Sequence, residues 1–599
     1  MRRLPHRFSL ALLTAFAFAL SAPSAAAAAV PETETPLVAN SPLAPTPLLA
    51  AGAPLLADVD PLVADLQERT FRWFWDTAHP QTGLIPDRWP SPSFSSVAAV
   101  GFGISAYVVG ADRGWVSRAD AAARTRQVLQ FLYDAPQGTQ ADAAGHKGFF
   151  YHFLNMETGR RIGDVELSTV DTALLIAGAL TAAMYFDGGS ADEWYVRDLA
   201  TRLYRRVEWT WAQPRPPLIS LGWKPGSGFL PYDYGGYNET MLLYVLALGS
   251  PTYPIDAAAW SAYTAGYDWR TYYGYAHVNF GPLFGHQYSH TWIDFRGIQD
   301  AYMRGRGIDY FTNSKRATLA QRKYAIANPG GFTGYGGEVW GLTACDGPAN
   351  ITRYVNGRNV TFHSYWARAA SATEVRDDGT IAPTAAAASI PFTPNASTRA
   401  IKAMRNRYGQ GLWGQYGFFD AFNPTFRFTD VRLDHGRVIP GLGWFDTDYL
   451  GIDQGPIVLM IENHRSDLIW GLMRRQGDLR RGLERAGFSG GWLGPARVAA
   501  PETAVETAKE DAATDAVLRL TAAPNPAAGP ADIAFSLPEA GAVRLSVVDV
   551  LGREVAVLAD GVLPAGAHRR TWDGAAGTYV VRLETEGAVA TRRVTRLQR

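Results

Sequence analysis

Acidic and amide side chains stand directly before long apolar runs at several points of the chain. Asp453 and Gln454 precede Gly455-Pro456 and an apolar run that begins at Ile457. Proline fits the first turn of a helix, where its missing N–H costs nothing, and a carboxylate at that end is stabilised by the helix dipole. The motif therefore predicts a largely buried helix that holds two polar groups at its N-terminal end.

Three more apolar runs begin after a polar residue, namely Ser96, Asp171 and Glu239. When successive apolar helices start with polar groups, those groups can meet at one end of a helical assembly. A cluster of polar side chains in an otherwise apolar pocket is typical of an active site. We therefore predict that the chain is an enzyme.

Two of these residues, Asp171 and Glu239, are carboxyl groups that could act as a general acid and a general base. One would donate a proton, while the other would accept a proton or activate water. Apolar surroundings favour the proton donor, because they raise its pKa towards neutral pH. The alternative for each residue is structural, since a carboxylate often caps a helix or pairs with an arginine.

Other polar and aromatic residues are expected to bind substrate. Loop tryptophans stack well on the C–H faces of neutral sugars, although they also fill large cores. The expected substrate-binding residues are Trp89, Glu166, His290, Trp292, Glu338, Trp340, Trp444, Asp453 and Gln454. Plain packing is an open alternative for the tryptophans, as is a structural role for Glu338 and Asp453. Asp453 could also serve as the base.

We predict no metal and no cofactor. His286, His290 and Asp294 have helical spacing, but Gly285 and the surrounding aromatic residues make a loop equally plausible. The chain has no compact HExxH or Cys–His arrangement for zinc. Its Gly-rich runs lack the lysine and the strand–loop–helix setting of a phosphate cradle. The single cysteine, Cys345, rules out an intramolecular disulfide.

The composition excludes some classes of partner. Lys+Arg and Asp+Glu both number 56, so nothing suggests a nucleic-acid groove or attraction to an anionic membrane. The 18 Trp, 27 Tyr and 28 Phe are instead compatible with a sugar-binding groove. No apolar run is both long and charge-free enough to span a bilayer.

The chain divides into five segments. Residues 1–29 have the basic start, apolar centre and Ala-rich end of a signal peptide, which predicts export to the periplasm, cell surface or medium. Residues 30–56 are a Pro/Ala/Thr-rich linker. The catalytic domain is expected at 57–496, a second linker at 497–520 and a small β domain at 521–599, where apolar residues alternate with period two.

Two kinds of helix alternate in the large domain. The runs 169–183 and 240–248 are almost uncharged, whereas 116–133 and 192–211 are amphipathic. Helices that are apolar all round are buried, and amphipathic ones face water on one side. An inner and an outer ring of antiparallel helices satisfy this alternation. We therefore predict an all-α (α/α)6 barrel, followed by a C-terminal all-β immunoglobulin-like sandwich.

The large domain also resembles a known family. The matching segments are TFRWFW (70–75), 97–103, LSTVDTALL (167–175), YGGYNETMLL (234–243), FGHQYSHTW (284–292), GEVWGLTACDGP (337–348), YGFFDAFNP (416–424) and 451–464. In number and order they are similar to the bacterial glucoamylase-like family that contains glycoside hydrolase family 144, the endo-β-1,2-glucanases.

This resemblance implies roles for the two carboxyl groups and a substrate. Glu239 matches the family's acidic catalytic residue and is expected to be the general acid. Asp171 is expected to be the base or to position water, with Glu166 as a further acid at the rim. The implied reaction is cleavage of β-1,2-glucan to short sophoro-oligosaccharides with inversion.

Three rival functions stay open from the sequence. The same fold could carry a transglycosylase or a hydrolase of another β-glucan, it could be a non-catalytic glycan-binding protein, or it could carry a polysaccharide lyase that acts on uronic substrates. The tail resembles FlgD-like and type IX secretion sorting domains through Asn525-Pro526, 548–553 and 572–574. That resemblance implies an export or attachment module and secretion machinery as a partner.

Overall fold

The computed structural model describes residues 59–140, 142–494, 519–523, 530–537, 540–549, 553–585 and 588–596. Contacts divide the chain into two compact units, Met1–Val498 and Ala499–Arg599. The predicted signal peptide, the first predicted linker and most of the second lie outside the described residues.

The helices lie in the first unit. In chain order they are α1 (Pro61–Thr77), α2 (Val97–Asp112), α3 (Arg118–Asp134), α4 (Thr169–Tyr185), α5 (Ala191–Arg205), α6 (Met241–Gly249), α7 (Ala258–Ala265), α8 (Tyr288–Trp292), α9 (Ala301–Arg306), α10 (Tyr310–Ala327), α11 (Pro383–Ala387), α12 (Pro394–Leu412), α13 (Gly451–Ser466), α14 (Leu468–Arg474) and α15 (Gly477–Arg485).

The predicted difference between two kinds of helix is present. Nearly every residue of α2 and α4 is buried, and all of α6 is. By contrast, α3 and α5 bury only one stripe of side chains. The reason is the distribution of apolar residues around each helix, because a helix without a polar face has no side that favours water.

The buried helices contact one another in a closed sequence. Helix α2 packs on α4, α4 on α6, α6 on α8, α8 on α13, and α13 returns to α2. The amphipathic helix α5 covers α4 and α3, while α1 covers α2 and α13. The N-terminal ends of α4 and α13, and the turn before α6, carry the acidic residues that the sequence analysis selected.

The first unit is not all-α, which corrects the predicted fold class. Its connections contain short strands, namely β1 (Arg88–Trp89), β2 (Ser95–Ser96), β3 (Gly145–His146), β4 (Phe149–Tyr151), β5 (Phe153–Leu154), β6 (Leu167–Ser168), β7 (Ile219–Ser220), β8 (Gly222–Lys224), β9 (Gly228–Phe229), β10 (Asp233–Tyr234), β11 (Trp269–Tyr272), β12 (Tyr275–Val278), β13 (Ala344–Cys345), β14 (Ile351–Val355), β15 (Arg358–Phe362), β16 (Trp366–Ala367), β17 (Ala369–Ala370), β18 (Val375–Arg376), β19 (Trp413–Gly414), β20 (Gly417–Phe418), β21 (Phe422–Asn423), β22 (Arg437–Ile439), β23 (Gly443–Phe445) and β24 (Tyr449–Leu450). They pair because buried backbone N–H and C=O groups need partners.

One of these sheets positions part of the site. Its strands lie in the order β3-β4-β6-β8-β9. Strand β6 leads directly into α4, so the sheet fixes where that helix starts. Residues 166 and 171 therefore flank the junction between a sheet strand and a buried helix.

Helix α13 differs from its prediction in the place of its proline. Pro456 lies inside the helix rather than in its first turn, and the helix ends where Asp467 adopts a left-handed conformation. A proline at this position leaves the carbonyl of Ile452, four residues earlier, without its helical N–H donor. The Tyr288 hydroxyl donates to that carbonyl at 3.1 Å.

Helix α9 starts after a non-helical segment that follows α8. Ile293 is extended, and the next helix begins only at Ala301. Asp300 caps that start by accepting a hydrogen bond from the backbone N–H of Met303 at 2.8 Å. A cap of this kind marks a helix N-terminus, so it fixes where α9 begins.

The second unit consists of two sheets with a shared core. Its strands are β25 (Arg519–Ala523), β26 (Ala531–Leu537), β27 (Gly541–Asp549), β28 (Glu554–Leu563), β29 (Gly566–Trp572), β30 (Gly577–Thr585) and β31 (Ala588–Arg596). One sheet has the order β25-β26-β29 and the other β28-β27-β30-β31. Alternate residues of β26 and β27, such as Ile533 and Leu545, meet in the core, as the period of two predicts.

No helix in the described parts of the chain has both the length and the apolar character that crossing a bilayer requires.

The close approach of α2 and α4 gives a stability prediction. A Cβ added at Gly178 would collide with the backbone of Gly101 on the facing helix. We expect Gly178→Ala to lower the free energy of unfolding of the first unit by about 1–3 kcal/mol. Gly305→Ala is the matched control, because no atom lies near its added Cβ. Thermal unfolding of both variants tests this, and equal stability would contradict it.

Candidate active site

Glu239 lies in the turn that leads into α6. Ser289 of α8 ties this turn in place, because its hydroxyl donates to the Glu239 carbonyl at 2.7 Å and accepts from the Leu242 N–H at 3.0 Å. The backbone under Glu239 is therefore fixed by two neighbouring helices of the ring. Asp171 is close enough for its charge to act on the Glu239 carboxyl group.

The surroundings of Glu239 suit a proton donor. Burial raises its pKa to about 7, and the negative charge of Asp171 adds to the effect. The residue nevertheless keeps partial contact with solvent. A carboxylic acid that remains protonated near neutral pH and stays accessible is what protonation of a leaving oxygen requires.

Asp171 lies in the first turn of α4 and is 4% exposed. Ser168 caps the helix by accepting the Asp171 N–H at 3.2 Å. The cap is therefore made by serine, which frees the Asp171 carboxylate for another partner. That partner is His152, whose Nε2 lies 3.5 Å from Asp171 Oδ2.

His152 joins Asp171 to Glu166. Its Nδ1 lies 2.9 Å from Glu166 Oε1, on the opposite side of the ring from Asp171. Burial alone would lower the pKa of His152, but Asp171, Glu166 and Asp87 together raise it to about 9. Burial likewise opposes ionisation of Glu166, yet the His152 hydrogen bond holds the pKa of Glu166 below its ordinary value.

A second group of buried carboxyl groups surrounds Arg88. Arg88 Nη1 lies 2.7 Å from Asp346 Oδ2 and 3.6 Å from Asp448 Oδ2. The Asp346 N–H donates to Asp420 Oδ2 at 2.7 Å. Ligand oxygens of Asp346, Asp420 and Asp446 lie within 4.8 Å of one another, a spacing that a cation could bridge. Arg88 already supplies positive charge at this trio.

Asp453, at the start of α13, joins this second group through Asp420. Burial, followed by Asp346, raises the pKa of Asp420 to about 7, and burial, followed by Asp420, raises the pKa of Asp453 well above its ordinary value. Two adjacent buried carboxyl groups favour sharing a proton, because both charges together are costly. The arrangement offers an acid pair close to the N-terminal end of α13.

Tyr288 links the two acidic groups. Its pKa is raised by burial and then by Asp453, Tyr365 and Glu239, so it neighbours a carboxyl group of each. Tyr234 similarly has a pKa raised by burial and then by Glu239, Asp171 and Glu166. Tyr234 therefore neighbours Glu239 and Asp171, and Tyr288 neighbours Glu239 and Asp453.

Trp89 is placed where a sugar could reach it. It follows Arg88 and is 36% exposed. Its ring lies edge-on to Tyr416, with a centroid distance of 5.3 Å, and 6.3 Å from the ring centroid of Tyr449. An exposed, laterally supported indole beside a group of carboxylates is compatible with the predicted stacking role.

The structure corrects the stacking role predicted for three tryptophans. Trp292, Trp340 and Trp444 are fully buried, so no ring face is available to a sugar. Trp292 Nε1 donates to Ser105 Oγ at 3.0 Å, and Trp444 Nε1 donates to the His435 carbonyl at 2.7 Å. Their large apolar area stabilises the core, which was the alternative reading of these residues.

His290 and Glu338 also lie outside the site. His290 is fully buried with Nε2 2.9 Å from Ser314 Oγ, and burial lowers its pKa to about 3, so it is a neutral core residue. Glu338 forms an ion pair with Arg407 at 2.5 Å on the surface. We therefore assign structural roles to both residues, which corrects the expectation that they bind substrate.

Gln454 is buried next to Asp453, and its Nε2 donates to the Phe418 carbonyl at 3.2 Å. Its Oε1 is buried without a hydrogen-bond partner in the structure. A buried amide oxygen without a donor is costly, so Gln454 stays a candidate for hydrogen bonding to substrate.

Sequence reasoning missed His152, Arg88, Asp346 and Asp420. Each lies in a connection between helices, where no period reveals which side chains face inward. A usable signal was present, because Asp346 and Asp420 interrupt apolar and aromatic segments, as in TACDGP and GFFDAF. Charged residues in such surroundings need a partner or a function.

Comparisons with known proteins agree with this description. A family model described as "Putative glucoamylase" matches residues 231–477. An exo β-1,2-glucooligosaccharide sophorohydrolase (non-reducing end) of Parabacteroides distasonis is 31% identical over 454 residues. That match covers 70% of this chain and 57% of the relative, so the chain spans little more than half of the relative's length.

Two solved structures match over almost their whole lengths. One is a putative glucoamylase from Bacteroides uniformis, with 34% identity and a TM-score of 0.62, covering 72% of this chain and 98% of that one. The other is an endo-β-1,2-glucanase from Chitinophaga pinensis in complex with sophorotriose and glucose, with 30% identity and a TM-score of 0.62, covering 72% and 99%. This chain therefore belongs to the glucoamylase-like family.

Proposed function

We propose that this chain is a glycoside hydrolase that cleaves β-1,2-glucan, with Glu239 as general acid and Asp171 as base. The observation that carries the proposal is Glu239, a carboxylic acid with a pKa of about 7 influenced by the Asp171 charge. The names of two relatives, a sophorohydrolase and an endo-β-1,2-glucanase, support the substrate.

The proposed chemistry needs only the groups in this region. Glu239 gives its proton to the glycosidic oxygen as the bond breaks, which avoids an unstable alkoxide leaving group. Asp171 accepts a proton from the attacking water, directly or through a bridging hydroxyl, and the water oxygen bonds to the anomeric carbon. Glu166, Asp453 and Gln454 are proposed to bind sugar hydroxyls, and Trp89 a ring face.

The proposed architecture is an (α/α)6 toroid elaborated with short strands. The closed sequence of contacts through α2, α4, α6, α8 and α13 supports it, and α11 packs beside α13 as a sixth inner segment. In such a toroid the acidic starts of several inner helices share one end. The proposal therefore explains why residues far apart in sequence form one site.

We propose endo cleavage that releases short sophoro-oligosaccharides, and inversion at the anomeric carbon. Inversion requires room for a water between the two carboxyl groups, roughly 6.5–9.5 Å. An exo enzyme that releases sophorose is the second candidate, because the sophorohydrolase relative carries that name. The two differ in products, since endo cleavage shortens long chains into a range of lengths.

We also propose that the protein is exported and that the second unit is an immunoglobulin-like sorting or attachment module. The signal-peptide pattern of residues 1–29 supports export. The two sheets around one core support a sandwich. Fractionation of cells that express the full chain and a chain ending at residue 496 tests both statements, and equal amounts of both forms at the cell surface would contradict the attachment role.

Product analysis on linear β-1,2-glucan is the first test. We expect short oligosaccharides from the wild type, and a loss of kcat of about 10²-fold or more in Glu239→Gln and in Asp171→Asn. Glu157→Gln is the matched control, because Glu157 is exposed. Full activity in both site variants would refute the assignment of acid and base, and longer products would indicate transglycosylation. Binding without cleavage by the wild type would indicate a glycan-binding protein.

The pH dependence of kcat/KM follows from Glu239. An acid must be protonated to act, so activity should fall as pH rises through about 7, with roughly a tenfold loss for each further unit. Initial rates between pH 4 and pH 9 measure this alkaline limb. A rate that stays level to pH 9 would be incompatible with Glu239 as the acid.

Trp89 provides a test of substrate binding. Trp89→Ala should raise KM by about 5- to 150-fold and change kcat little, since loss of an aromatic stacking surface costs about 1–3 kcal/mol. Trp194→Ala is the control, because Trp194 is an exposed tryptophan on the outer helix α5. Equal KM values for the two variants would show that Trp89 does not bind the substrate.

A further inference from the structure

His152 belongs to none of the roles assigned so far. It lies between β4 and β5, and hydrogen bonds fix its backbone on both sides. Its N–H donates to the Glu166 carbonyl at 3.0 Å, and its carbonyl accepts from the Val97 N–H at 3.2 Å. The residue therefore connects the sheet beside α4 with the first residue of α2.

The ring of His152 lies between two carboxylates. Nδ1 is 2.9 Å from Glu166 Oε1, and Nε2 is 3.5 Å from Asp171 Oδ2. A neutral imidazole has one N–H and could donate to only one of them, whereas the imidazolium has two. The ring of Phe153 stacks on it at a centroid distance of 4.1 Å, which restrains its orientation.

We propose that His152 is a positioning residue of the proposed hydrolytic site: as an imidazolium held between Glu166 and Asp171, it keeps Asp171 ionised and oriented beside Glu239. The proposal rests on the proposed function for its catalytic consequence. Its structural part, the charged ring between two carboxylates, stands on the geometry alone.

The charges around His152 support this role. The groups that face it are Asp171 from α4, Glu166 from the loop before β6 and Asp87 from the segment before β1. Among the residues that the structure describes, His152 is the one cationic side chain within ion-pair distance of Asp171, and Arg88 lies beside Asp87. Lys224 acts on Glu166 from β8.

The proposed consequence is that Asp171 carries the negative charge while Glu239 keeps the proton. Two nearby carboxyl groups resist ionising together, so one proton tends to be retained by the pair. Of Asp171 and Glu239, only Asp171 has the His152 cation as a partner. This cation favours the charge on Asp171, so the proton stays on Glu239. Tyr234 and Tyr288, which also neighbour Glu239, are neutral phenols and do not offset this asymmetry.

The test uses the full chain with His152→Gln and the control His146→Gln. His146 lies in β3, in the sheet next to His152, but its ring stacks on Trp223 at a centroid distance of 5.1 Å rather than lying between carboxylates. We expect His152→Gln to lower kcat roughly 10- to 100-fold and to shift the acid limb of the pH profile upward by about one unit. The control should retain the wild-type profile.

A second variant separates charge from folding. His152→Ala should recover activity when imidazole is added, and the recovery should decrease at a pH at which imidazole is neutral. Melting temperatures close to the wild type show that the variants fold. A lower kcat with unshifted limbs, or no rescue in a folded variant, would overturn the positioning role.

Nuclear magnetic resonance of ¹⁵N-histidine-labelled protein tests the charged state without relying on turnover. The signal that disappears in His152→Gln should show an imidazolium at pH 7.5, with both ring nitrogens protonated. A neutral ring at that pH would overturn the proposal even if the glucan is cleaved. An imidazolium in a protein that cleaves no glucan would instead count against the proposed function.

Discussion

Buried negative charge at one end of the helical ring is the constraint on which the rest of the site depends. Asp346, Asp420, Asp446, Asp448 and Asp453 are all nearly inaccessible to solvent. Charges in such a place must be paired, hydrogen-bonded or neutralised by a proton, because an unpaired buried charge is very costly. Arg88 pairs with some of these carboxylates, and shared protons account for Asp420 and Asp453.

The same constraint separates the roles of otherwise similar carboxyl groups. Glu239 keeps its proton because it is surrounded by protein and beside a negative charge, whereas Asp171 lies beside a histidine. The proposed distinction between acid and base therefore rests on neighbours contributed by a different part of the chain. Helices set the positions of the carboxyl groups, and the short-stranded connections supply the groups that tune them.

The sequence was most informative where a residue begins an apolar helix. Asp171, Glu239 and Asp453 could be selected because a polar group at that point is simple to recognise and the helix geometry places it. Trp292 and Trp444 were assigned wrongly, because residue type does not reveal whether a ring faces a groove or the core. His152 was missed because its carboxylate partners follow it by 14 and 19 residues across strand pairs that no helical period predicts.

The proline inside α13 has a consequence for Tyr288, which neighbours both acidic groups. Because Pro456 gives Ile452 no helical donor, the Tyr288 hydroxyl is committed to that backbone carbonyl. The phenol is thereby removed from the set of groups that could exchange protons with Glu239 or Asp453. Its ring is thereby held in one orientation beside Glu239 and Asp453.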